Sequence, residues 1–186
     1  PYALVITTCA GLWRYLIGDV LEFTNTQTHE IKITGRTKHF LNLCGEHVSA
    51  DNLASALRLT ADDTGLDIPE FAVSGINHNN SFEYHWYLGC NDWKNSSPLT
   101  IAGLLDKKLC QLNDDYLTER QAGVISCVSV TLLPADIFHS YLKSIKKEGG
   151  MNKFPRVLKE HHLPAWKKHL EQVQQEKKKS VFTASA

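Results

Sequence analysis

Short apolar runs come first along the chain and helical periodicities come later, so the pattern divides the sequence into two lengths of different character. The run 2–8, YALVITT, is apolar and β-branched, which predicts a strand buried on both faces. Strands are predicted again at 13–16, 20–24 and 30–34, the last two joined by the polar loop 25–29, and together they read as a small antiparallel sheet. The apolar content is high for a free-standing lobe, and the chain opens without an initiator Met, so the sequence reads as starting inside a longer protein.

From Phe40 the period changes. A short strand at 40–43 leads to Gly45, and Ser49 is placed to cap a helix over 50–60 with Leu53 and Leu57 on one face. Two alternating segments, 70–75 and 82–89, flank the turn-forming residues Asn77 and His78. In the second, Phe82, Tyr84, Trp86 and Leu88 share a face, and with no basic residues beside them they read as a helix-covered core rather than a base-stacking platform. Helical spacing of Ile101, Leu105, Leu109, Leu112 and Tyr116 predicts one helix starting at Ser97 and Pro98. A strand at 124–132 follows, then a helix from Pro134 that buries Phe138, Tyr141, Leu142 and Ile145 and stops at Gly149 and Gly150. The last helix, 164–178, is amphipathic through Trp166, Leu170 and Val173, and 180–186 reads as a loose tail. The fold class is therefore α+β: a small antiparallel β subdomain, then an α+β sandwich of helices on a mainly antiparallel sheet.

Composition narrows the class of function. Acidic and basic residues balance at 20 each, which argues against a nucleic-acid or anionic-membrane binder. From Tyr141 onward, however, 11 Lys and Arg face 4 Glu, a basic end that suits a solvated helix face, an acidic neighbour or an anionic ligand. Five cysteines without a Cys-x-x-Cys pair point to reduced thiols in the cytoplasm. His161 and His162 are adjacent and so point apart on a helix, which leaves no metal site in the pattern. No apolar run is long enough for a membrane span.

Chemistry concentrates between Leu12 and Ser49. Asp19, after a Gly on a strand, can accept hydrogen bonds from a vicinal diol such as a ribose, and Arg36, one hairpin later, can reach hydroxyl or phosphate oxygens. Tyr15 supplies apolar surface beside them.

The passages YLIGDVLEF and GRTKHFLNLCGEHVS resemble the ATP-ribose and hinge region of adenylate-forming enzymes, most closely the auxin-responsive Gretchen Hagen family of acyl acid amido synthetases. Asn113 to Arg120, NDDYLTER, is similar to the family's Asn-x-x-Tyr-x-x-x-Arg element, and Lys153 to Arg156, KFPR, to its Lys-x-Pro-Arg. The resemblance implies an ATP-dependent ligase that adenylates a carboxylic acid and transfers the acyl group to an amino acid, with Mg2+ and most of the ATP site supplied by an N-terminal domain of the same protein. It implies that residues 1–37 end that domain, that 38–179 form a mobile C-terminal domain, and that Lys38 is the hinge. By the same resemblance Asp19 holds the ribose, Arg36, Tyr15 and His47 complete the nucleotide contacts, and Lys153 meets the reacting carboxylate and phosphate. His47 stands where relatives usually carry a Lys, and a neutral imidazole does not replace a fixed charge. An acyl-CoA-type ligase and a non-catalytic, adenylate-binding or scaffold module are the alternative readings.

Overall fold

A computed structural model describes residues 2–36, 40–78, 81–93, 97–146 and 153–183. The first unit is a three-stranded sheet in which β2 (Tyr15–Asn25) lies between β1 (Tyr2–Ile6) and β3 (Glu30–Arg36), antiparallel to both. The separate strands expected at 13–16 and 20–24 are one strand of 11 residues. Gly18 and Asp19 do not end it: Gly18 takes a φ of 90°, open to glycine but strained for other residues, and the ladder continues past a bulge. The expectation that the first strand is buried on both faces also fails. Tyr2 is 63% exposed, and Val5, Leu16, Ile31 and Ile33 are each more than half exposed, so pairing within this sheet leaves many of its apolar side chains uncovered, with Leu21 the buried exception.

The second unit is built around the hairpin of β6 (Glu70–His78) and β7 (Ser81–Gly89). A two-stranded ribbon of β4 (Phe40–Leu41) and β5 (Val48–Ser49) leads into α1 (Ala50–Thr64). Ser49 and Asn52 form a reciprocal capping box at its start, an arrangement in which losing the cap costs about 1 kcal/mol. The helix runs one turn past the expected Thr60 because the first residue that stops it is Gly65.

The hairpin is flanked by α2 (Pro98–Leu112), α3 (Asp114–Gln121), β8 (Ile125–Leu133), α4 (Asp136–Ser144), β9 (Val157–Leu158) and α5 (Leu163–Thr183). The sheet order is β8-β7-β6-β9. Only the central pair is antiparallel; β8 joins β7 and β9 joins β6 in parallel, so the sheet is mixed rather than mainly antiparallel. The cause is the helical crossover before each outer strand, which returns the chain in its original direction. Strand β9, absent from the sequence reading, is too short to leave a periodic signal.

The alternation of β7 sorts its side chains as expected. Tyr84, Trp86 and Leu88 pack with Leu53 and Leu57 of α1, Ile101, Leu105 and Leu109 of α2, and Tyr116 of α3. Tyr87 faces the other way, into Phe138 and Tyr141 of α4, Phe154, and Trp166 of α5. Helices therefore cover both faces. The single helix expected to carry Leu112 and Tyr116 is two, broken at Asn113, whose side chain accepts from the Tyr116 amide and caps the second. Ile145 is partly exposed, not buried, because α4 ends at Ser144 and Lys146 turns away with a φ of 55°. The predicted stop at Gly149 and Gly150 lies outside the described residues. At the other end α5 continues through Thr183 instead of loosening at 180, since no Gly or Pro interrupts it.

Trp166 is the centre of the second core. Its ring lies 4.9 Å from Phe154, 5.2 Å from both Phe138 and Tyr141, and 5.7 Å from Tyr87, mostly edge to face. Trp166→Ala is expected to cost about 3–5 kcal/mol of unfolding free energy by the cavity it leaves, measured by urea denaturation.

Candidate functional site

The bulge in β2 determines how Asp19 is presented. Ala3 and Val5 of β1 are in register with Val20 and Leu16, so residues 17–19 lie opposite the single residue Leu4. Extra residues in one strand lift side chains out of the ordinary alternation, and Asp19, half-buried, is in the lifted segment. On its other side Asp19 is directly in register with Arg36, the last residue of β3. The two sequence-predicted residues are thus brought side by side at one end of the sheet. Tyr15 begins β2, half exposed, in register with Ile6. Lys38 lies outside the described residues, as does the side chain of Arg36.

The turn between β4 and β5 holds a residue that sequence reasoning missed. Glu46 is completely buried. Its carboxylate accepts hydrogen bonds from the amides of Leu43, at 2.9 Å, and Cys44, at 2.9 Å, from the Cys44 thiol at 3.3 Å, and from the Tyr84 hydroxyl. Burial by itself raises a carboxyl pKa, but the Tyr84 hydroxyl and these amides outweigh it and hold Glu46 below its ordinary value. The same carboxylate acts in the opposite sense on its donors. Burial, then Glu46, pushes the Cys44 thiol up to about 12 and drives the Tyr84 hydroxyl upward as well. Burial and the neighbouring carboxylate thus favour the Cys44 thiol over its thiolate, the reactive form.

His47 is exposed, but its ring is engaged within this turn. Its φ is 43°, its Nδ1 lies 2.6 Å from the Gly45 carbonyl, and its Nε2 lies 3.1 Å from the Asn42 side-chain nitrogen. A carbonyl only accepts and an amide nitrogen only donates, so these contacts define a ring with its proton on Nδ1. Asn42 also accepts from the Gly45 amide at 2.8 Å, where the φ of 124° is open only to glycine among ordinary residues. Both ring nitrogens of His47 are used within the turn, where a Lys would project a charge.

The NDDYLTER passage has a structural role here. Tyr116 donates to Asp106 at 2.7 Å, and Arg120 meets the same carboxylate through two nitrogens at 2.9 and 2.7 Å. A third nitrogen of Arg120 donates to the carbonyls of Ile125 and Ser126, at 2.7 and 3.0 Å. Its guanidinium thereby ties α2, α3 and the start of β8 together. A second polar network lies on the sheet's other face, where Glu83 accepts from the Ser129 hydroxyl and lies 2.8 Å from His78.

Lys153 is exposed, but the residue after it is fixed. Phe154 is buried against Trp166, and Arg156 donates to Glu70 at 2.9 Å and to the Phe71 carbonyl at 3.1 Å, with its guanidinium 4.4 Å from the Phe71 ring centre. Lys153 adjoins an anchored edge of the sheet, because Phe154 is drawn into the second core. A cleft of about 550 Å3 opens beside it, lined in part by Ala50, Arg156, Lys159 and His162 and, among the described side chains, by none of Tyr15, Asp19 and His47.

A bulged antiparallel sheet followed by a mixed sheet covered by helices on both faces is an α+β arrangement. Residues 1–36 match the GH3 family central domain and residues 51–162 match the GH3 family C-terminal domain, so the chain belongs to the GH3 family. Among solved structures it is similar to a GH3.15 acyl acid amido synthetase, with a TM-score of 0.68 and 20% identity over 90% of this chain and 33% of that one. A second, AtGH3.15 acyl acid amido synthetase in complex with 2,4-DB, also gives 0.68 and 20% over 90% of this chain and 32% of its own. The chain thus spans about a third of the length of these structures. No curated protein sequence matches it.

The burial of Glu46 gives a prediction with a definite sign. Its folded pKa is lowered, so its contribution to stability is complete above the unfolded carboxyl value of roughly 4.3 and is lost as pH falls through the lower folded value. Glu46→Gln is expected to cost about 1.5–3 kcal/mol near pH 7, the scale of charge-assisted hydrogen bonds, and less as the pH is lowered. Urea denaturation of both proteins between pH 7 and pH 3 measures the convergence.

Proposed function

We propose that the chain is the C-terminal part of an ATP-dependent ligase that joins a carboxylic acid to the amine of an amino acid. In the first step the acid's carboxylate oxygen attacks the α-phosphorus of ATP, the bond from that phosphorus to the bridging oxygen breaks, and pyrophosphate leaves with the electron pair. In the second the amine attacks the acyl carbon, the bond to AMP breaks, and the amine's proton passes to a base. Both anions of the first step repel, so the site must present positive charge where the phosphate becomes more negative.

The observation that carries this reading is the register of Asp19 with Arg36 beside the bulge, in a chain of this family. Asp19 accepts hydrogen bonds from the ribose diol, and Arg36 bridges ribose and phosphate oxygens. Tyr15 adds apolar surface near the nucleotide. His47, engaged within its own turn, shapes the loop and contributes no fixed charge to the nucleotide. Lys153 neutralises charge on the reacting carboxylate and phosphate. Because Phe154 anchors its neighbour, Lys153 reaches Asp19 by rotation of the whole C-terminal unit, 38–179, about the segment containing Lys38, rather than by a loop swing.

Among the described residues no group of three His, Cys, Asp or Glu is placed to hold a metal ion, so no side chain here is assigned to magnesium. The N-terminal domain is proposed to hold the ion and most of the ATP, and its packing is supported by the exposed apolar side chains of the first sheet, Trp13 at 79% among them. The free cysteines support a reducing, cytoplasmic setting. Among the described residues no helix is long and apolar enough to cross a membrane.

The test is acid-dependent ATP–pyrophosphate exchange by the full-length protein, with a panel of aryl and alkyl acids. Lys153→Ala is expected to slow exchange about 100- to 1,000-fold, by comparison with the loss of one oxyanion donor. Asp19→Asn is expected to raise the KM for ATP. Exchange that survives Lys153→Ala unchanged removes the role given to Lys153, exchange that no acid elicits removes the ligase assignment, and vigorous exchange by residues 1–186 alone removes the placing of most of the ATP site in an N-terminal domain.

A further inference from the structure

Lys153 belongs to a segment that is held on both sides of Pro155. Side chains along 153–156 alternate outward and inward: Lys153 and Pro155 are exposed, Phe154 is buried and Arg156 is half-buried. A proline disfavours the helical conformation in the residue before it, which suits this alternation and turns Lys153 away from the core that receives Phe154. Phe154 sets how deep the segment sits, with its ring 4.9 Å from those of Phe138 and Trp166. Apolar burial is non-directional, so this anchor fixes depth better than it fixes rotation.

The direction comes from Arg156, whose contacts all go to one stretch of β6. Its carbonyl accepts from the Val73 amide at 2.8 Å. Its Nη1 donates to Glu70 at 2.9 Å and to the Phe71 carbonyl at 3.1 Å, with the guanidinium 4.4 Å from the Phe71 ring centre. Among these partners, Glu70 is the one whose contact can be removed without opening the first core or the ladder, since Phe71 is buried in the one and Val73 pairs with Val157 in the other. The Glu70 and Arg156 side chains are 22% and 34% exposed, and a partly exposed ion pair adds little to stability. Gly89 makes room for the arrangement. It lies in register with Glu70, and a Cβ there would come within 3.1 Å of the Glu70 Cβ and 2.9 Å of the Phe138 ring. One bare position therefore admits both the acid that orients Arg156 and the ring that receives Phe154.

We propose that Glu70 is a positioning residue for the adenylation step: acting through Arg156, it fixes the place from which Lys153 meets the reacting carboxylate and phosphate. This rests on the role given to Lys153 above. A misplacement of about 1 Å caused by a distant substitution can slow a reaction roughly 100-fold. Without Glu70 the segment is free to turn about Phe154, and the turn is carried to Lys153, three residues from Arg156.

The test is a double-variant cycle in acid-dependent ATP–pyrophosphate exchange by the full-length protein. Glu70→Ala is expected to lower kcat about 10- to 100-fold with the KM for ATP little changed, since Lys153 acts on the transition state. Glu70→Gln, which keeps an acceptor at the same reach, recovers most of the rate. Asp63→Ala, which removes the carboxylate of the Lys108 ion pair between α1 and α2, leaves exchange unchanged. Added to Lys153→Ala, Glu70→Ala has no further effect, because no ammonium is left to misplace. Aminolysis of an acyl adenylate supplied directly, a step in which Lys153 is given no part, keeps its rate in Glu70→Ala and shows that variant to be folded. Unchanged exchange in Glu70→Ala, a loss that multiplies with that of Lys153→Ala, or an equal loss of aminolysis overturns the positioning role and leaves the ligase reading standing. Exchange that Lys153→Ala does not slow overturns the positioning role together with the assignment of Lys153. Exchange that no acid elicits removes the ligase reading, and the positioning role with it.

Discussion

The carboxylate of Glu46 is the interaction on which the second unit's frame depends. It sits in the turn that delivers the chain into α1, and it reaches β7, one of the two central strands of the sheet, through the Tyr84 hydroxyl. Tyr84 in turn meets Tyr116 edge to face at 5.2 Å, and Tyr116 is bonded to the Asp106 carboxylate that Arg120 grips. One continuous polar and aromatic path therefore joins the entry turn, β7, α2, α3 and the start of β8. Isolated, a buried carboxylate would be a heavy penalty; here it is offset because each end of the path supplies donors rather than acceptors.

This explains why two of the family-like passages carry little exposed chemistry. In NDDYLTER, Asn113 ends one helix and starts the next, while Tyr116 and Arg120 face inward. In the GEHVS passage, Glu46 and His47 are consumed by the turn, Val48 is buried and Ser49 caps α1. The residues that identify the family in this half of the chain are largely those that hold it together. The candidates left to meet a ligand lie at the two ends: half-buried Asp19 with exposed Tyr15 on the bulged sheet, and exposed Lys153 at the cleft.

Features governed by near neighbours in sequence were legible. Ser49 capping α1 and the alternation of Tyr84, Trp86 and Leu88 are decided within a few residues, and both are as read. The break at Asn113 was also locally encoded, since an Asn followed by two Asp is a good helix start, but the apolar spacing through Leu112 and Tyr116 masked it. What depends on distant partners was not legible. Nothing near Glu46 announces that Tyr84 waits for it, and nothing in KFPR announces that its carbonyl will accept from Val73. The bulge at Gly18 and Asp19 was read as a strand end because, without its partner strands, a glycine before a carboxylate has the look of punctuation. Within the site, Asp19 and Arg36 were paired from the sequence, whereas the anchoring of Lys153 through Phe154 required the second core to be known.

The parallel pairing of β9 with β6 has a consequence for how the chain is made. Val157 and Leu158 complete the outer edge of a sheet whose neighbouring strand emerges from the ribosome much earlier. Until they arrive, the amide of Val73 and its neighbours present an open ladder beside an unfinished apolar core. Nascent or truncated forms that stop short of Val157 are thus templates for strand addition by another molecule, and the last short strand acts as a closure against aggregation during synthesis.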